Sequence, residues 1–251
     1  MEEFLIESLD DLVDVVTILS DKYKHHRIWY RGQADNSWEL IPSIQRNNYI
    51  ANETYITNDF YIRVKQVVAN PPSKENYSAW MAMMQHYGLP TRLLDWSLSP
   101  LIATFFATEK YEKYKDVDAC IWALFPRLLN MNEGFGNIVM PNDAYSVQQM
   151  LVRAFKSMET IDNQFEDKMI ACCSTEKDLR MYSQQATFTV HNTKRKLTDI
   201  CTSDMLYKII IPKGRKKYFF NCLNYFGINR SFIYPDMEHI SCEIKNRKYE
   251  P

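Results

Sequence analysis

Apolar residues recur at three- and four-residue intervals through Leu9, Leu12, Val13, Val16 and Leu19, and Ser8 stands just before them as a capping residue. The spacing predicts a helix over about 9–20. Arg27-Ile28-Trp29-Tyr30-Arg31 is aromatic and β-branched, which predicts a strand that Gly32 breaks, with Arg31 at its end. Residues 54–69 and 75–87 carry helical periodicity on either side of Pro71-Pro72, and Gly88 is placed to close the second helix. The next seven or eight residues are expected to form a structured loop. Ser99-Pro100 then opens a helix, and Leu101-Ile102-Ala103 with Phe105-Phe106-Ala107 marks it as core.

Later in the chain, strands are predicted at 120–125, 187–191 and 206–211, the last closed by Pro212. Tyr218, Phe219, Cys222, Leu223 and Phe226 recur at helical spacing before Gly227, and a short β segment is expected at 231–234. Residues 130–142, with Gly134 and Gly136, are the best candidate for a long loop, yet too apolar for an interdomain linker. There is no internal repeat. The pattern indicates an α+β fold: one compact domain with a central, largely antiparallel sheet flanked by helices, formed by residues 27–251, with a helical segment over 1–26 packed on it.

Composition narrows the classes. Among 251 residues, 46% are hydrophobic and only 6 are Gly, which excludes a disordered chain. Thirty basic residues balance thirty-one acidic ones, so no overall field draws a polyanion such as nucleic acid. The densest basic run, Lys213 with Arg215-Lys216-Lys217, reads as a solvated face. Six cysteines show no CxxC spacing, and His25, His26 and His239 lack ligand spacing, so reduced thiols and no metal are expected. No leader pattern opens the chain and no apolar run is long enough to span a bilayer, which suggests a cytoplasmic protein without membrane contact.

Two dense polar motifs remain: Tyr30-Arg31-Gly32-Gln33 and the run from Gln85-His86-Tyr87-Gly88 through Leu94-Asp95-Trp96-Ser97. Together with Trp38, Leu40 and Pro42, then Pro100, Ala103 and Phe106-Ala107, and finally Gln184, Phe188, Gly227-Ile228 and Tyr234-Pro235-Asp236, they resemble the FRG domain over roughly residues 27–240. That family is found in bacteria and phages, and its layout is similar to that of ADP-ribosyltransferases, which split NAD between a first-strand Arg or His, a polar second motif and a third strand. The resemblance implies an ADP-ribosyltransferase or NAD glycohydrolase acting as a toxin or phage-defence effector, with NAD as cofactor and a macromolecular acceptor as partner. The alternative is a noncatalytic nucleotide-sensing or protein-interaction module.

On that likeness Arg31, Asp95 and Gln184 form the catalytic set, and Tyr30, Arg31, Gly32, His86, Thr91 and Ser97 contact the nucleotide. A guanidinium grips a pyrophosphate at two points, a carboxylate stabilises the positive charge that develops on the ribose, and a glycine leaves backbone open to the nicotinamide carboxamide. The sequence departs from the pattern in two places. No acid lies between Asp178 and Asp199, and Ala186 stands where the family prefers glycine. Each residue also has a structural reading: Arg31 paired with Asp35 or Asp95, His86 capping a helix, Asp95 anchoring a loop, Trp96 packing.

Overall fold

The structure is a computed structural model and describes residues 2–24, 26–155, 165–175 and 178–246. In chain order its elements are β1 (Glu3–Leu5), α1 (Leu9–Lys22), β2 (Trp29–Gln33), α2 (Glu53–Val67), α3 (Tyr77–His86), β3 (Leu93–Ser97), α4 (Pro100–Thr108), β4 (Ala119–Leu124), α5 (Pro126–Asn132), β5 (Met140–Pro141) and α6 (Tyr145–Leu151). Then follow β6 (Lys168–Cys173), α7 (Leu179–Ser183), β7 (Ala186–Asn192), α8 (Leu197–Ile200), β8 (Leu206–Ile211), α9 (Lys216–Tyr225), α10 (Arg230–Ile233) and α11 (Met237–Asn246). His25 lies outside the described residues.

The strands make one mixed sheet in the order β1-β8-β4-β2-β3-β7-β6-β5. All inner pairs are antiparallel, and only the edge pairs β1–β8 and β5–β6 are parallel, so the fold is the α+β arrangement expected from the pattern. Alternation along each strand divides the side chains between two faces. One face carries a continuous core from Leu206 through Trp122, Trp29, Leu94 and Trp96 to Met169. The other face is split. Tyr30, Ile121 and Ile209 pack under α1, α4 and α9, whereas Leu93, Ile170, Phe188 and Val190 pack under α3 and α6.

The split coincides with a fork in the sheet. β2 pairs with β4 along all five of its residues but meets β3 at a single position, Tyr30 opposite Ser97. The two halves part beyond that contact, and the gap between the two helical layers opens over it.

Several local expectations are corrected. Gly32 does not break β2; it sits inside the strand opposite Ile121, which puts Arg31 in mid-strand opposite Trp122. A Cβ on Gly32 would lie 1.9 Å from the Ala103 carbonyl oxygen, so close packing of α4 on β2 is what excludes a side chain there. The loop expected after Gly88 is shorter, because residues 93–97 are a strand between β2 and β7. Residues 231–234 are not β: Asn229 caps α10 by accepting from the Phe232 N–H at 3.0 Å. Within 130–142, Asn130 closes α5's last turns and is fully buried, its side chain bonded to both the N–H and the carbonyl of Ala171. Lys216 is not on a solvated face. Its ammonium is buried and donates to the carbonyls of Ala34 at 2.6 Å and Tyr114 at 2.7 Å, tying β2's exit to the segment after α4. Among the described residues no helix is long and apolar enough to cross a membrane.

Candidate functional site

A cleft of about 280 Å³ occupies the fork. β2 contributes Tyr30, Arg31 and Gly32, β3 contributes Asp95 and Ser97, and the start of β7 contributes Ala186. One wall is the C-terminal end of α4, the other the C-terminal end of α3 with α7. Of the expected site residues, Tyr30, Arg31, Gly32, His86, Asp95, Ser97 and Gln184 all line this cleft; Thr91 does not.

Arg31 fills the gap where backbone pairing stops. Its Nη1 donates to the Asp95 carbonyl oxygen at 2.7 Å, replacing a ladder hydrogen bond between the diverging strands. Its Nε–H is buried and has no hydrogen-bond partner among the described residues. An unpartnered donor of this kind costs about 1–3 kcal/mol, and a ligand oxygen offers it a partner. Burial pulls the Arg31 guanidinium down to about 10, with the neighbouring Asp95 charge acting the other way, so it stays charged at neutral pH.

Asp95 is reached by solvent from the cleft yet hemmed in by protein. That confinement raises its carboxyl above the ordinary range, against the pull of Arg31, the Gln85 hydrogen bond and Arg180. Gln85, one residue before the end of α3, donates its amide Nε2 to Asp95 Oδ1 and accepts at Oε1 from the Thr91 hydroxyl. The amide must point this way, because a carboxylate only accepts. Thr91, fully buried, accepts from the Leu93 N–H at 3.2 Å and therefore acts on the cleft only through Gln85. The turn that puts Gln85 there is closed by Gly88 at φ 79°, with Leu89 N–H on Met84 O at 2.9 Å and Gly88 N–H on Gln85 O at 3.0 Å.

The other expected residues hold α7 in place. His86 Nδ1 lies 3.0 Å from Asp178 Oδ2, and Asp178 caps α7 through the Arg180 and Met181 N–H groups. Ser97 donates its hydroxyl to the Gln184 carbonyl at 2.8 Å, and Gln184 donates its own Nε2 to Ile233 O at 3.1 Å. Gln184 thus faces the cleft with one of its two amide N–H donors engaged. Trp96 is 3% exposed and donates to Thr189 Oγ1 at 3.0 Å, which in turn meets His191 Nε2 at 2.9 Å. Burial, and then the Arg31 charge, push His191 down to about 3, so this ring beneath Arg31 is neutral.

Two charged groups on the cleft wall were not singled out from sequence. Glu109 caps the C-terminus of α4, and its carboxylate, only 8% exposed, accepts from the Tyr234 hydroxyl at 3.4 Å and lies 3.8 Å from Lys110 Nζ. It stands three residues after Phe106, on the same helical face, so extending the helix period past the motif would have found it. Arg180 reaches in from α7, a five-residue helix with no buried positions, which gives no sequence signal. A second cavity of about 860 Å³, between the segment after α4 and α9 to α11, adjoins the first at Glu109 and Lys110. Among the described residues no three His, Cys, Asp or Glu gather as a metal site.

Residues 26–116 match the FRG domain. The match takes in both polar motifs and α4 with Glu109; the C-terminal positions that resemble the family, Gln184 to Asp236, fall outside it. No curated protein and no solved structure matches the chain.

Proposed function

We propose that this chain, whose residues 26–116 match the FRG domain, binds NAD in the forked cleft and breaks its nicotinamide–ribose bond, passing ADP-ribose to an acceptor or to water. The observation that carries this reading is Arg31: a guanidinium with a buried, unpartnered N–H, set in the gap between β2 and β3 beside the confined Asp95 carboxyl. Phosphate oxygens complete such a donor, and the adjacent carboxylate meets the ribose. Gly32 adds support of a different kind from the one its family likeness suggests, since it lets α4 press close enough to bring Glu109 to the cleft.

Glu109 also answers the missing acid near Gln184. When the C1′–N bond breaks, its electron pair leaves with neutral nicotinamide and positive charge spreads over C1′ and the ring oxygen. Ionised Asp95 stabilises that charge. The acceptor's lone pair then bonds C1′ and its proton passes to a carboxylate, a role for which Glu109 is suited because it stands where the two cavities meet. The larger cavity is the route by which a macromolecular acceptor reaches the ribose. In a bacterial or phage setting, an NAD-consuming chain of this kind serves as a toxin or defence effector.

Incubation of the purified protein with NAD, with free nicotinamide as readout, tests the reading. Turnover in wild type and its loss by 100-fold or more in Asp95→Asn and Glu109→Gln, on the scale of removing a general acid–base or electrostatic group, is the expected result. NAD binding without nicotinamide release would favour a nucleotide sensor instead, a reading supported by Gln184, an amide tethered to Ile233 O where a transferase has an acid.

A further inference from the structure

Arg180 is the one guanidinium on the cleft wall with no assigned task. Its Cζ lies over the Tyr234 ring, 4.8 Å from the centroid, in a cation–π contact, and among the described residues its side chain makes no hydrogen bond or ion pair. A stacked guanidinium keeps all five donors for a ligand, and its geometry is fixed before the ligand arrives. Tyr234 is itself held, by its hydroxyl on Glu109 and by stacking on His239 at 4.8 Å. α7 is pinned at its N-terminus by His86–Asp178 and at its C-terminus by Ser183 and Gln184 on Ile233 O, so Arg180 is carried on an anchored element.

The charge balance points the same way. The cleft wall bears three cations, Arg31, Arg180 and Lys110, against two carboxylates, Asp95 and Glu109. Lys110 is paired with Glu109, which leaves the two arginines against the single Asp95 carboxylate and the cleft with an excess of positive charge.

We propose that Arg31 and Arg180 form a two-sided clamp for a diphosphate, so that the cleft selects ligands with a pyrophosphate bridge over ligands with a single phosphate. The clamp deepens the NAD reading and relies on it for where the ligand lies, but it is measured by binding alone. Two arginines offering planar pairs of donors match the oxygens of two linked phosphates, whereas one phosphate satisfies only one of them. Arg180 sits on α7, outside the sheet, and therefore sets ligand choice without holding the fold.

The test is titration calorimetry with ADP-ribose, inorganic pyrophosphate and AMP on wild type, Arg180→Ala, Arg180→Gln, Tyr234→Phe and Tyr234→Leu, with a melting curve for each. Arg180→Ala and Arg180→Gln should weaken ADP-ribose and pyrophosphate by about 10- to 100-fold and AMP by less than about 3-fold. Tyr234→Phe keeps the ring and should stay near wild type, while Tyr234→Leu removes the stack and should lose about 3- to 30-fold. Wild-type affinity for ADP-ribose in the Arg180 variants, an equal loss for AMP, or no preference of the wild type for diphosphates would overturn the clamp. Diphosphate binding that depends on Arg180, in a protein that releases no nicotinamide from NAD, would uphold the clamp and remove the transferase reading alone.

Discussion

Replacing Gly32 with alanine separates two reasons for an Arg-Gly pair in a nucleotide cleft. If the glycine serves the ligand, Gly32→Ala should fold normally and bind poorly. The packing says otherwise. The added methyl would stand 1.9 Å from the Ala103 carbonyl oxygen and 2.6 Å from the Ala107 nitrogen, where ordinary contact begins near 3.4 Å. β2 and α4 would have to separate by about 1.5 Å, taking the 1.9 Å approach as the limit. Neither is free to move: β2 is paired along its length with β4, and Ile102, Ala103, Phe105 and Ala107 of α4 are all at most 2% exposed.

Overpacking by one methyl against movable side chains costs about 1–3 kcal/mol; against two backbones the upper end is the floor, so about 3 kcal/mol or more is expected. For a chain of this size that lowers Tm by roughly 6–12 °C. Thermal and urea melts of the ligand-free protein measure it. Ala103→Gly should not rescue the variant, because the clash is with the carbonyl oxygen and not with a side chain, and it should itself subtract about 1 kcal/mol of helix propensity. A Gly32→Ala protein with wild-type Tm and lost nucleotide affinity would refute the packing account and return the glycine to the ligand.

Three other substitutions probe the same region. Asp95→Asn should gain stability relative to wild type as pH rises: the folded carboxyl titrates above the ordinary value of about 3.9, so its favourable contribution is complete below that value and lost through the raised one, whereas asparagine does not titrate. Melts from pH 3 to 8 that show the asparagine variant falling behind as pH rises would reverse that sign. Arg31→Lys keeps the charge but not the planar fork, so ADP-ribose affinity should fall about 10-fold or more and stability by about 1.5–3 kcal/mol as the bond to Asp95 O is lost; calorimetric affinity equal to wild type would take Arg31 out of the site. Lys216→Met preserves length while leaving the carbonyls of Ala34 and Tyr114 without their donor, and urea melts should show a loss of about 2–5 kcal/mol, against near neutrality if the lysine were solvated.

How far the fold was legible depended on whether an element's stability is local. α4 announces itself through Ser99, Pro100 and an unbroken apolar run, and α1 through Ser8 and a stripe whose Leu12 and Leu19 are buried, although Val15 is buried where the stripe named Val13, which is exposed. β1 has two exposed residues flanking a half-buried Phe4 and exists because it pairs with β8, some two hundred positions away, which no local pattern shows. β3 hid inside its own motif: Asp95 interrupts the apolar run, and the strand is held by five pairings to β7. α10 was mistaken for a strand because Phe232, Ile233 and Tyr234 favour β structure, and the Asn229 cap outweighs that preference. Lys216 looked like surface charge because its two carbonyl partners come from segments around 34 and 114.

The site divides along the same line. Arg31, Asp95 and their neighbours were found because polar residues crowd two short motifs, but their roles follow from a geometry that neither motif contains. β2 is directed by β4 and β3 by β7, through full-length pairings on opposite sides, and the single Tyr30–Ser97 contact cannot hold both to one plane. The fork is therefore a consequence of the whole sheet, and it changes what each motif residue does: Arg31 substitutes for missing ladder bonds, Asp95 supplies the carbonyl that receives it, and Thr91 acts at one remove through Gln85. Glu109 and Arg180 enter the same cleft from α4 and α7, elements that pack on either side of the fork. A change that closed the fork, by adding a second β2–β3 register contact, would bury the Arg31 donors in a continuous ladder and remove ligand affinity while raising Tm.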